Sequence, residues 1–211
     1  MLVVAPVGVQ AATNVQWVDW TLQPTANMVI GTVAGVTATY AGPRQFAQIT
    51  GGGTDYWVTS NLPDSYTQGI INRPPGTDII ALNTGGNKSI SFSSAVTNVY
   101  MALTRWNGNV VTFDQPFSVV TQGEGYWGSG TLTPMNGNTG FTASGEFHGI
   151  IRFSGTFTSL NFTDTTGNWH GFTIGIGQVG SAVPEPQSWA MLIAGFGAIG
   201  LALRRRTRAL A

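Results

Sequence analysis

The sequence predicts an all-β fold: a two-sheet β-sandwich, jelly-roll-like in its many short strands, followed by a single C-terminal transmembrane helix. Three observations predict it. Short runs rich in Val, Ile, Thr, Phe, Tyr and Trp recur between residues 13 and 183. Turn-forming clusters separate them: Gly51-Gly52-Gly53, Pro74-Pro75-Gly76, Gly85-Gly86-Asn87, Asn107-Gly108-Asn109 and Asn136-Gly137-Asn138. No apolar pattern of helical period and useful length interrupts this stretch. A closed barrel is the alternative arrangement of the same strands.

In chain order, the expected strands are Val15–Leu22, Asn27–Tyr40, Asp78–Leu82, Lys88–Ser93, Asn98–Thr104, Val110–Asp114 and Phe117–Thr121. Tyr126–Thr133, Phe141–Phe153, Phe157–Thr163 and His170–Gly177 follow. Residues 42–77 are the least regular and read as a long loop. Phe141–Phe153 alternates most clearly. Phe141, Ala143, Gly145, Phe147, Gly149, Ile151 and Phe153 share one face, predicted as core. Thr142, Ser144, Glu146, His148, Ile150 and Arg152 share the other, predicted as a solvated face with one apolar exception. Ser154-Gly155-Thr156 reads as a tight turn into Phe157–Thr163, making a central hairpin.

Composition excludes several classes. Charged residues make up 9% of the 211 residues, while hydrophobic ones make up 42%, which excludes a coiled coil or a charge-driven disordered chain. With no cysteine there is no disulfide, thiolate metal site or catalytic thiol. Nine Lys+Arg balance nine Asp+Glu, but Arg204, Arg205, Arg206 and Arg208 sit together at the end. The body is left slightly acidic, without a basic patch, so no nucleic-acid partner is expected.

The two ends read as addresses. Residues 1–11 are short and apolar and end in Val9-x-Ala11, the pattern of a partial signal peptide. Residues 12–182 form the predicted β-sandwich ectodomain, and 183–211 a sorting segment. Gln187 to Leu203 is an uncharged run of 17 residues, near the lower limit of about 17–25 for a spanning helix. Trp189 suits the headgroup level, and the arginines after the run place that end inside and the body outside. Pro184 and Pro186 make the preceding segment stiff and extended, a shape that a processing enzyme can grip.

Pro184-Glu185-Pro186, Trp189-Ala190-Met191, Gly195-Phe196-Gly197 and Arg204-Arg205-Arg206 together resemble the PEP-CTERM sorting signal of Gram-negative bacteria. The resemblance covers about 28 residues of the tail. It implies processing by an exosortase-type enzyme near Pro184, Glu185 and Pro186. Trp189, Gly195, Phe196, Gly197, Arg204, Arg205 and Arg206 would form a transient inner-membrane anchor. Delivery would be to the cell surface or exopolysaccharide matrix. The resemblance assigns no activity to the body.

Within the body, Glu146 and His148 lie two apart on one strand face, a spacing open to a metal or acid/base pair, or to a solvated face with Arg152 balancing Glu146. His170 is in phase with Phe172, Ile174 and Ile176, which favours a core position. Trp106-Asn107, Tyr126-Trp127 and Trp169-His170 place indoles beside polar groups, as sugar contact requires; tryptophans filling the core are the alternative. Candidate ligand-binding residues are therefore Trp127, Glu146, His148, Trp169 and His170. No catalytic residue, metal site or cofactor is assigned. Asp114 and Asp164 could meet calcium, but no Asp-rich loop is present. Gly123-Glu124-Gly125-Tyr126-Trp127-Gly128 and Gly175–Gly180 match a dinucleotide fingerprint only formally, since neither opens a helix. The first reads as a glycine-lined turn presenting Glu124, Tyr126 and Trp127.

Three functions fit. The first is a structural or glycan-binding surface protein. The second is a secreted polysaccharide hydrolase, whose two carboxylates would come from Glu124, Glu146 and Asp164. The third is an ice-binding protein, for which Thr37-Ala38-Thr39 is the only hint of a threonine array.

Overall fold

The computed structural model describes residues 12–49, 51–59 and 64–177. The predicted signal segment, the Pro184-Glu185-Pro186 motif and the predicted transmembrane helix lie outside the described residues. Among the described residues no helix is long and apolar enough to cross a membrane.

The body is all β. Thirteen strands join in one antiparallel sheet, and the other regular element among the described residues is a single 3-10 turn at Asn136–Asn138. The N-terminal strands are β1 (Val15–Trp17), β2 (Asp19–Thr25), β3 (Met28–Val33), β4 (Val36–Ala41) and β5 (Phe46–Gln48). Next come β6 (Ile79–Leu82), β7 (Gly86–Trp106), β8 (Val110–Phe113) and β9 (Ser118–Gly123). The chain continues with β10 (Gly130–Met135), β11 (Gly140–Gly145), β12 (Phe147–Asp164) and β13 (His170–Gly177).

The long strands β7 and β12 pair along most of their length and organise the rest. At one end β7 pairs with β4 through Ile90 and Phe92, and β12 pairs with β8 through Phe162. At the other end β7 pairs with β13, and β12 with β9. Hydrogen bonding is therefore continuous where two separate sheets were expected. The bend lies at mid-strand. Asn98 takes φ 54° and Gly155 takes φ 128°, the register shifts between Phe153 and Thr156, and the Gly155 N–H donates to Asn98 Oδ1 at 3.3 Å. This is a β-bulge, which bends a strand without ending it. Ser154-Gly155-Thr156 is thus a bend inside β12 and not a hairpin turn. The chain breaks instead at Gly145-Glu146, where Gly145 takes φ 70°.

The two ends of the long pair face each other over a shared core. Phe172 of β13 meets Tyr40 of β4 and Phe162 of β12, each at 5.7 Å between ring centroids. Trp20, Ile90, Met101, Leu103, Phe141, Phe147, Ile151 and Phe153 complete this interior, as the alternation of Phe141–Phe153 predicted. The opposite face of β7 and β12 is not solvated. Tyr100, Ala102 and Ile150 pack under Trp57, Tyr66 and Ile70 in a second cluster. The irregular segment, which also contains the short strand β5, supplies that roof. This corrects the expected solvent face: Ile150 has apolar neighbours, and His148 is fully buried beside it.

Candidate functional site

Four of the five candidate side chains surround one surface region, and the fifth lies elsewhere. Trp127 is the centre. The turn Gly125–Gly128 is closed by reciprocal backbone hydrogen bonds of 2.8 and 3.3 Å, and it pushes Tyr126 and Trp127 outward, 47% and 37% exposed. This is the glycine-lined turn that the sequence suggested. Gly125 is required for packing: a Cβ there would stand 2.2 Å from His148 Cγ.

Five aromatic rings meet around that turn. Trp127 lies 4.8 Å from Trp169 and stacks on Tyr56 at 5.1 Å. Tyr56 touches Tyr126 at 5.5 Å and Trp169 at 5.0 Å, and Phe46 stacks on Trp169 at 5.9 Å. Polar groups border the rings. The Arg105 guanidinium lies 5.4 Å from the Trp127 ring centroid, a cation–π distance. Its Nε is 3.4 Å from Glu146 Oε2, and its terminal nitrogen donates to the Trp169 carbonyl at 3.4 Å. Asn107 donates to Glu146 Oε1 at 3.2 Å. Arg105, not Arg152, therefore balances Glu146. Arg105 takes φ 58°, a left-handed conformation that breaks the alternation of β7 and lets Trp106 turn into the core.

His148 sits directly beneath, its ring 6.4 Å from that of Trp127 and inclined by 19°. Nδ1 is 3.0 Å from the Tyr66 hydroxyl and 3.1 Å from the Thr104 hydroxyl. Tyr66 donates its hydrogen to the Leu103 carbonyl at 3.1 Å, so its oxygen is left to accept from Nδ1–H. Nε2 then carries the lone pair, and it is buried with no hydrogen-bond partner among the described residues. Burial lowers the His148 pKa to about 4 and pushes the Tyr66 phenol well above its ordinary value. The imidazole is neutral at physiological pH.

His170 points to the other face. It lies in the core, 4.3 Å from the Trp106 ring, with Nε2 3.1 Å from Asp164 Oδ2. Asp164 also contacts Lys88 Nζ, and all three side chains are sealed from solvent. His148 and His170 thus do not form one site. Asp114 is held by Asn161, accepting from its backbone N–H at 3.0 Å and its side-chain amide at 2.6 Å. Among the described residues no group of three or more His, Asp or Glu side chains is placed to hold a metal ion.

Sequence reasoning missed Tyr56, Phe46, Arg105 and Tyr66. Tyr56 and Tyr66 lie in the irregular segment, where no period assigns a face. The aromatic residues of that segment were its only local signal of packing against the sheet. Of the predicted site tryptophans, Trp106 serves the core, and its indole N–H donates to the Gly171 carbonyl at 2.9 Å.

The comparisons speak to the tail. A PEP-CTERM protein-sorting motif is matched at residues 182–206. Neither the curated proteins nor the solved structures give a match. The matched motif supports export and sorting to the cell surface with processing by an exosortase-type enzyme. The chain accordingly carries a PEP-CTERM protein-sorting motif after its β body in sequence.

Proposed function

We propose that this protein is delivered through the inner membrane to the exopolysaccharide matrix, where its sandwich-like β body binds polysaccharide through Tyr126, Trp127, Tyr56 and Trp169. The observation that carries the reading is the aromatic surface bordered by Arg105, Glu146 and Asn107. Flat ring faces suit the apolar C–H faces of pyranose rings. A guanidinium, a carboxylate and an amide at their border suit sugar hydroxyls. Glu146 is engaged by Arg105 and Asn107, and Asp164 is sealed in the core, which supports binding over hydrolysis.

Retention of the full chain on exopolysaccharide and on a glycan array tests this. The wild-type protein is expected to bind, and Trp127→Ala is expected to weaken binding at least tenfold, with an unchanged circular dichroism spectrum. Failure of the wild type to bind any glycan overturns the reading, and release of shortened sugars replaces it with hydrolysis. For the tail, replacing Pro184, Glu185 and Pro186 with Ala should hold the protein in the inner-membrane fraction; unchanged release would remove exosortase processing from the account.

A further inference from the structure

The sealed cluster of Lys88, Asp164 and His170 is used by nothing described so far. Lys88 on β7 and Asp164 on β12 are 76 residues apart in sequence, and their side chains touch inside the core. Lys88 Nζ has two further neighbours, the carbonyls of Thr84 at 3.0 Å and Gly86 at 3.3 Å. His170 Nδ1 is 2.7 Å from the Asn168 carbonyl oxygen, an atom that only accepts, so Nδ1 carries a hydrogen.

One more hydrogen must lie between His170 Nε2 and Asp164 Oδ2, because two lone pairs would repel at their 3.1 Å separation. On Nε2 it makes an imidazolium beside a carboxylate; on Oδ2 it makes a neutral imidazole beside a carboxylic acid. With Lys88 as an ammonium, both arrangements leave a net positive charge inside an apolar core, which is costly. With Lys88 as an amine, both are neutral. The three oxygens around Lys88 Nζ, namely Asp164 Oδ1 and the two carbonyls, suit three N–H donors; loss of one proton from the cluster leaves it neutral and frees the Nζ lone pair for Asp164 Cγ.

We propose that Lys88 and Asp164 are joined by an intramolecular isopeptide bond that forms after folding, with His170 holding the proton in transit. The Nζ lone pair adds to Cγ, and the Nζ–Cγ bond forms. Nitrogen gives up one proton, and the Cγ–Oδ2 bond breaks. Oδ2 leaves with its own hydrogen and that proton, as water. No oxidant, metal or cofactor takes part. The product buries a neutral amide where a charged pair would stand. It also staples β7 to β12 at the far end of their pairing, where Gly86 lies opposite Asp164. A chain without cysteine headed outside the cell gains a covalent cross-link by this route that disulfides cannot give it.

The test is a protease digest of the denatured full chain, read by tandem mass spectrometry. The expected product is one branched peptide pair joining the segments around Lys88 and Asp164, lighter by one water than its two linear parts. Linear peptides alone would overturn the proposal, and they are read from the wild-type protein, so no variant needs to fold. His170→Gln, checked for folding by circular dichroism, should form the bond at least tenfold more slowly than the wild type in a time course that starts at cell-free synthesis. An unchanged rate would remove the proton-holding role from His170. Asp164→Asn should reach the same final branched peptide by losing ammonia instead of water; a final product that differs from the wild type's would place the link elsewhere.

Discussion

The two histidines lie on opposite faces of the same sheet, and their surroundings differ in kind. His170 is enclosed by core elements that cannot leave without unfolding: β7, β12 and the facing Trp106. Both of its ring nitrogens meet oxygen. His148 is covered by a roof of loop residues, Tyr66 from one segment and the Gly125–Gly128 turn from another. Its Nε2 has no hydrogen-bond partner among the described residues. The inner cluster seals three titratable side chains in the core, and the outer one is a single imidazole buried by loops and overlaid by exposed aromatic rings. The comparison teaches that equal burial does not mean equal role. What matters is whether the covering element is part of the sheet or laid on it.

Three measurements would break or sharpen this contrast. The largest effect belongs to the inner cluster. Lys88→Met removes the cross-link between β7 and β12, which spans 76 residues, and should cost about 3–5 kcal/mol in chemical denaturation, as loss of a covalent link of that span does. A loss below about 1 kcal/mol would show that the inner cluster is no more demanding than a surface pair.

The second effect is on pH dependence. His148 falls from an ordinary 6.5 to about 4 in the folded protein. Its contribution is therefore complete above pH 6.5 and is lost as pH falls toward 4, about 3 kcal/mol in all. Asp78 works the other way. Burial, with Asp19 nearby, raises it from 3.8 to about 7, so its contribution is complete at low pH and is lost as pH rises to 7. The two oppose each other between pH 4 and 6.5. Asp78→Asn should therefore make the melting temperature rise more steeply over that interval than in the wild type. An unchanged slope would mean that Asp78 is not the buried neutral carboxyl described.

The third effect is the smallest. Gly125→Ala drives a methyl group against the His148 ring and should cost about 1–3 kcal/mol. Its tryptophan emission should shift as Trp127 moves, while the Lys88–Asp164 cluster is untouched. An unshifted spectrum would separate the turn from the histidine beneath it.

Much of the strand order was legible, because alternation over a few residues is a local property. Phe141, Phe147, Ile151 and Phe153 point inward as their period requires; the run Asn27–Tyr40, read as one strand, is instead the hairpin of β3 and β4 around Ala34-Gly35. The turn carrying Trp127 was legible from its glycines. The continuity of β12 was not, since Ser154-Gly155-Thr156 has the composition of a turn. Only the matching kink at Asn98 on the paired strand makes it a bulge. The pairing of Glu146 with Arg105 was hidden for the same reason: they are neighbours only once β7 and the start of β12 lie side by side.

By itself, the sequence determined the β class, the inward face of β11 and β12, and the sorting motif, which is read as a linear string. Tertiary structure decided which faces water reaches. A strand's period of two assigns side chains to faces, but it carries no information about what a distant segment lays over each face. The segment around Trp57, Tyr66 and Ile70 has no period of its own, and its choice of the His148 face was settled by the apolar area available there. That choice gave His148 a roof and left Tyr126 and Trp127 outside.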